Sequence, residues 1–308
     1  MSDSEIIVYT REHGLPYSKG LMAQSFMATG LSPEKAYNVA AAVGRSLRRR
    51  GPVVLTLSDL ETIACETLGA DEGRDLVARF RQWQELAQLE RPLVILIGGA
   101  TGVGKSTLAT QMAHRLGITR VASTDTVRQV MRAFFAADLM PEVHCSSFDA
   151  RGAVRIPLPK SADLYRAGFI EQVKSVAVGI DAIVRRAISE ELSTIVEGVH
   201  VVPGFLDKTH WGEAVVVELV LCIDDPERHR SHFYVREWET GGVRPLQRYI
   251  RHFNHIRKVQ KYVLAQAEKQ GTTVIENESL DQTVKAVMDN VLDAVGASRR
   301  QIAAEAGR

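Results

Sequence analysis

Between the apolar run Leu93 to Ile97 and a helical stretch from Ser106 to Leu116 stands Gly99-Ala100-Thr101-Gly102-Val103-Gly104-Lys105-Ser106. It matches G-x-x-x-x-G-K-[ST] at every position, in the strand-then-helix context that this pattern requires. No other feature constrains the fold as much. A continuous apolar run reads as a strand buried on both faces, which places it inside a parallel sheet. Glycines let the backbone curl so that successive N–H groups point inward, and the positive end of the following helix faces the same hollow. Such a hollow suits a polyphosphate. On this reading Gly99, Ala100, Thr101, Gly102, Val103, Gly104, Lys105, Ser106 and Thr107 cradle ATP. Lys105 reaches the β- and γ-phosphates, and the Ser106 hydroxyl ligates Mg²⁺.

Four further apolar runs follow, at Arg120–Ala122, Thr194–Val196, Val215–Ile223 and Thr272–Ile275. Helical stretches separate them, over Thr126–Ala137, Asp163–Glu190, Pro226–Glu239 and Leu246–Lys269. The alternation predicts an α/β fold with a five-stranded parallel sheet flanked by helices. Upstream of Arg91-Pro92 the pattern differs. Glu5 to Thr10 is a short β-rich run, and helices are expected over Leu21–Thr29, from Ser32-Pro33 to Arg49, from Ser58-Asp59 through Leu68, and over Asp71–Leu89. The expected organisation is a small, mainly helical domain at 1–90 and a larger one at 91–308, with a polar tail beyond Ala297.

A total of 38 Lys and Arg against 37 Asp and Glu leaves a net charge of +1, which argues against a broadly basic nucleic-acid binder. The local balance is different. From Arg228 to Lys261 there are nine Lys or Arg, four His and only two acids, Glu237 and Glu239. Gly241-Gly242 offers a hinge within it, and Arg244, Arg248 and Arg251 share one side of the helix that Pro245 opens. Over a phosphate-binding loop, a basic flap at 228–261 would neutralise the transferred group and exclude water. Arg244 and Arg248 are its candidate catalytic cations. Cys65, Cys145 and Cys222 form no pair or disulfide framework. The N-terminus lacks a secretory pattern, and no apolar run approaches the ~20 residues of a membrane span. A cytoplasmic protein without a membrane partner is expected.

In an open parallel sheet the ligand lies beyond the carboxyl ends of the strands. After the second predicted strand come Ser123-Thr124-Asp125 and then Arg128 and Arg132, spaced to share a helix face. Asp125 can accept an acceptor hydroxyl's proton or help hold Mg²⁺ with Ser106, and the two arginines can clamp a carboxylate or phosphate. After the third strand come Glu197, the second candidate for base or metal contact, and His200, a candidate anion contact. Ser146 and Ser147 offer hydroxyls in a further loop. There is no N-K-x-D guanine-reading motif, and the layout fits a small-molecule kinase better than a GTPase or a motor. A nucleotide-gated regulator, or a nucleic-acid binder using the basic segment, is the competing class.

The blocks at 98–107, 121–132, 144–148, 165–173, 195–204, 256–263 and 274–277 together resemble the 2-phosphoglycerate kinase family of archaea. Residues 17–43 are similar to an ATP-cone, a nucleotide-sensing module. The resemblance implies a P-loop kinase domain preceded by an ATP-cone-like domain, with ATP and Mg²⁺ as cofactors and a small phosphorylated acid or polyol as substrate. The implied reaction turns 2-phosphoglycerate and ATP into 2,3-bisphosphoglycerate and ADP. Relatives acting on other polyphosphorylated metabolites, inositol phosphates among them, leave the acceptor open. A nucleotide effector at the N-terminal domain and a homo-oligomer are both compatible with it.

Overall fold

The computed structural model describes residues 5–6, 18–50, 55–87, 91–155, 157, 159, 161–209, 211–239 and 246–306. The chain forms two compact units, Met1–Glu90 with Val284–Arg308, and Arg91–Thr283.

The first unit is mainly helical. It contains β1 (Glu5–Ile6), α1 (Lys19–Met27), α2 (Pro33–Arg50), β2 (Leu55–Thr56), α3 (Leu57–Leu68) and α4 (Ala70–Ala87). β1 and β2 pair antiparallel, Ile6 opposite Leu55. α3 begins one residue before the expected Ser58, because Thr56 caps it. The Thr56 hydroxyl accepts from the Asp59 N–H at 3.1 Å, and the Asp59 carboxylate accepts from the Thr56 N–H at 3.2 Å. Phe26, Val39, Leu60, Leu76 and Phe80 belong to the core of this unit. Residues 284–308, expected from the sequence at the end of the second domain, cluster here instead.

The second unit is the sheet and its helices: β3 (Leu93–Gly99), α5 (Lys105–Leu116), β4 (Arg120–Ser123), α6 (Thr124–Phe134), α7 (Pro141–His144), α8 (Leu164–Ser189), β5 (Thr194–Glu197), β6 (Val215–Cys222), α9 (Pro226–Glu239), α10 (Leu246–Arg251), α11 (Phe253–Gln270) and β7 (Thr273–Glu276). The strands form one all-parallel sheet in the order β4-β5-β3-β6-β7. β3 is central and wholly buried, as its unbroken apolar run requires. Its register sets the site. Ile97 pairs with Glu197 on β5, and Glu197 pairs with Ser123 on β4. β4 and β5 therefore finish level, β3 runs on two residues to Gly99, and the loops that follow these strands lie side by side. The helix expected over 246–269 is broken at His252 (φ −102°, ψ 11°), which separates α10 from α11. The last helix, α12, runs Leu280–Ala306. Among the described residues no helix is long and apolar enough to cross a membrane.

Candidate active site

The loop after β3 folds as its glycines dictate. Gly99, Gly102 and Gly104 all have positive φ, at 133°, 88° and 90°. At Gly102 there is a second reason for glycine, since a Cβ would lie 2.4 Å from the Phe233 ring. Four successive carbonyls of this loop each accept a hydrogen bond from a side chain. Lys105 Nζ donates to Ala100 O at 2.6 Å, and His229 Nε2 to Thr101 O at 2.8 Å. His232 donates to the Gly102 carbonyl, and Asn277 Nδ2 to Val103 O at 3.0 Å. With these carbonyls engaged by donors, the N–H groups of the loop are the ones that suit an anion. Asn277 is itself fixed by the Thr283 hydroxyl at 2.9 Å.

His229 is fully buried, and its ring stacks on Phe233 at 5.5 Å. A carbonyl only accepts, so Nε2 carries the proton, and Nδ1 accepts from Arg257 at 3.4 Å. Burial pushes this imidazole down to about 4, with the Thr101 hydrogen bond opposing the shift and Arg257 adding to it. His229 and His232 stood in the sequence only as members of a basic segment. Their hold on the loop, and that of Asn277, was not legible from spacing.

Lys105 is buried, and burial pulls its ammonium below the usual lysine range, with Glu197 and Asp125 opposing. Both predicted carboxylates therefore act on this cation. They differ in setting. Glu197 is buried, and its Oε1 accepts from the Ser106 hydroxyl at 3.0 Å. The Asp125 side chain is 58% exposed and meets Arg128 at 3.4 Å. Ser106 and Asp125 were paired as metal contacts in the sequence, yet the oxygen beside Ser106 belongs to Glu197. The pairing of β5 with β3 brings those two together. Two hard oxygen donors side by side fit Mg²⁺, which takes one or two protein ligands and completes its shell with phosphates and water.

The acceptor candidates separate further. Arg128 donates to the carbonyls of Val143 at 3.1 Å and Cys145 at 3.0 Å, so it holds the loop after α7. Arg132 is exposed and bonds Gln129. The two arginines do not converge into a clamp. His200, expected to meet an anion, is fully buried instead. Its Nε2 donates to Gln172 Oε1 at 3.0 Å, so its Nδ1 accepts from the Thr124 hydroxyl at 2.9 Å. Burial pushes it down to about 3. Both nitrogens are engaged, and neither is available to a substrate. Gly198 permits this arrangement, because a Cβ there would lie 1.8 Å from Thr124 Oγ1. Gln172 continues the network to the carbonyl of Cys145 at 3.1 Å.

Ser146 accepts a hydrogen bond from Arg248, and Ser147 is buried. Arg244 and the Gly241-Gly242 hinge lie outside the described residues. Other cations of the basic segment are held elsewhere. Arg257 donates to the Ile223 and Asp224 carbonyls, Lys258 pairs with Asp163 at 3.0 Å, and Arg228 meets Glu276 at 3.6 Å. Arg230 bonds Glu227 and lies over the Phe253 ring at 4.6 Å. Much of the expected flap is thus the scaffold behind the phosphate loop.

No family model matches the chain. Curated relatives do. The 2-phosphoglycerate kinase of Methanothermobacter thermautotrophicus is 36% identical over 276 residues, 90% of each chain. That of Methanopyrus kandleri is 34% identical over 297 residues, covering 96% of this chain and 90% of its own. The Thermococcus kodakarensis protein of that name is 36% identical over 294 residues, covering 95% and 96%. Identity at this level along nearly the whole chain, together with a phosphate loop on the central strand of a five-stranded parallel sheet, makes this protein an ATP-dependent kinase belonging to the 2-phosphoglycerate kinase family.

Proposed function

We propose that this kinase transfers the γ-phosphoryl group of ATP to the free hydroxyl of 2-phosphoglycerate, yielding ADP and 2,3-bisphosphoglycerate. The observation that carries the reading is the likeness to relatives of that name over nine tenths or more of the chain. The site agrees in chemistry. Lys105 leaves the Ala100 carbonyl for the β- and γ-phosphates, drawn by their charge and by the N–H groups around them. Ser106 and Glu197 hold Mg²⁺, which, when bound, neutralises charge on the phosphates. Asp125, exposed at the end of β4, takes or orients the proton of the acceptor hydroxyl. Ser146 and Arg248 stand on the acceptor side.

The test is acceptor-dependent ADP release with ATP·Mg²⁺ and a panel of 2-phosphoglycerate, 3-phosphoglycerate and inositol monophosphates, with product mass determined. ADP and a bisphosphoglycerate are expected with 2-phosphoglycerate. Turnover with an inositol phosphate and none with 2-phosphoglycerate overturns the substrate.

The N-terminal unit extends the proposal. Its resemblance to an ATP-cone supports a nucleotide effector there, and Lys19 and the basic run Arg48 to Arg50 are the candidates for its phosphates. Adding dATP to the full chain at fixed ATP should change the rate or the sedimentation coefficient. Identical behaviour with and without dATP removes the effector. Residence in the cytoplasm belongs to the same proposal.

A further inference from the structure

Helix α6 carries Asp125 and Arg128 near its start, yet of its eleven residues only Thr124 is buried. Val127 and Met131 are partly buried, packed against a core that includes Val176 and Ile180 of α8. Apolar contact therefore anchors this helix lightly. The placement of its first turn falls to the one polar group it buries, the Thr124 hydroxyl, which lies 2.9 Å from His200 Nδ1.

His200 is the middle of a hydrogen-bonded chain that leaves α6 and returns to it. From Thr124 the chain passes through His200 to Gln172 Oε1 on α8 at 3.0 Å. Gln172 Nε2 then donates to the carbonyls of Glu142 at 2.5 Å and Cys145 at 3.1 Å. The Cys145 carbonyl also accepts from Arg128 at 3.0 Å, one turn along α6 from Thr124, and Arg128 meets Asp125 at 3.4 Å. Thr124, His200 and Gln172 are all fully buried. The direction of the chain is fixed at its far end. A carbonyl only accepts, so the Gln172 amide turns its NH₂ to the carbonyls and its oxygen to His200. His200 then carries its proton on Nε2, and Nδ1 accepts from Thr124. A buried network whose members are all satisfied is rigid. This one ties together the start of α6, the loop after β5 and the loop after α7 that carries Ser146. The phosphate loop is held by other side chains, His229, His232 and Asn277.

We propose that His200 is a positioning residue for phosphoryl transfer: through Thr124 it fixes the first turn of α6, which carries Asp125, and through Gln172 it fixes the loop that carries Ser146. His200 touches no substrate and acts through these partners. The assignment rests on the proposed transfer to 2-phosphoglycerate, with Asp125 taking or orienting the acceptor's proton, and it names what holds that carboxylate in place. A misplacement of about 1 Å in a reacting geometry costs about 10²-fold in rate, so a buried hydroxyl that sets the start of α6 governs kcat from a distance.

Two variants of the full chain test it. Thr124→Val keeps the shape of the side chain and removes the donor to His200, whereas Thr124→Ser keeps the donor. With 2-phosphoglycerate and ATP·Mg²⁺, Thr124→Val should lower kcat at least fivefold while the ATP KM stays within twofold, and Thr124→Ser should recover at least half of the parent kcat. A smaller loss in Thr124→Val, an ATP KM that rises with it, or a comparable loss in Thr124→Ser overturns the assignment. If Thr124→Val does not fold, Gln172→Met, which breaks the other side of His200, is judged by the same limits on kcat and ATP KM. If the parent enzyme does not turn over 2-phosphoglycerate, that substrate falls and amide hydrogen exchange decides the positioning. Exchange over residues 128–131 of α6 should then quicken at least fivefold in Thr124→Val while α5 is unmoved, and any smaller change overturns the assignment.

Discussion

The phosphate loop at 99–107 and the basic segment at 228–261 are both dense in polar groups, and the protein uses them in opposite ways. In the loop the backbone is the part that suits an anion, and side chains engage its carbonyls, three of them from beyond the loop and one, Lys105, from within it. Ala100, Thr101, Gly102 and Val103 each give their carbonyl to a donor. In the basic segment the side chains carry formal charge, yet many are committed to structure. Arg257 caps the carbonyls at the end of β6, and His229 and His232 brace the phosphate loop. Counting charge along the chain therefore overstates the cations left for substrate. What matters is which of them still has an open side.

The sharpest break between the two regions is at Lys105. Replacing it with alanine removes the one loop side chain aimed at transferred charge, and kcat should fall by about 10²–10³, the usual cost of losing one such donor. Stability should hold, because a desolvated ammonium is removed. Near-normal phosphotransfer in Lys105→Ala would erase the distinction.

A second effect follows from His200 and His229, both buried with imidazoles held well below their ordinary value. Between about pH 6.5 and about pH 4 the unfolded chain binds protons that the folded one refuses. Stability should therefore drop as pH falls through that window, by up to about 1.4 kcal/mol per pH unit for each histidine. Chemical denaturation at pH 7 and pH 5 measures it, and an unchanged midpoint would place both histidines in contact with water.

Smaller effects should separate bracing from charge. Asn277→Asp turns a donor to Val103 into an acceptor. It should cost about 1–3 kcal/mol locally and appear as a raised KM for ATP with the acceptor KM unmoved. Arg257→Met removes a donor from the Ile223 carbonyl, which Gln260 still serves, and from that of Asp224, so thermal stability should fall by about 0.5–1.5 kcal/mol. At the exposed Arg251, alanine should change stability by less than about 0.5 kcal/mol. Equal destabilisation at Arg257 and Arg251 would mean that the segment acts as a uniform charged face after all.

Much of this was readable beforehand, for identifiable reasons. The phosphate loop and the five parallel strands declare themselves because their signals are local: glycines, Lys-Ser and unbroken apolar runs. Asp125 and Glu197 were visible as strand-end acids. The pairing of Ser106 with Glu197 rather than Asp125 was not, since it depends on β5 lying next to β3 while β4 lies one strand further out. His200 looked like a site residue in its polar loop, and only the placement of Thr124 and Gln172 showed both its nitrogens engaged. A signal for α12 was present, in the spacing of Val284, Val287, Met288, Val291, Leu292 and Val295, all buried. That periodicity reveals a helix with one apolar face and does not say which core the face joins.

The amino-acid sequence by itself determined the α/β class and the phosphate loop, because each follows from contiguous residues and their periodicity, and its motif blocks carried the likeness to the kinase family. Tertiary structure decided which polar groups are free to act. A hydrogen bond such as Asn277 to Val103 or His229 to Thr101 joins residues more than a hundred positions apart. Whether a charge is spare or committed depends on such partners, and they meet only when the sheet sets its strands and their loops side by side.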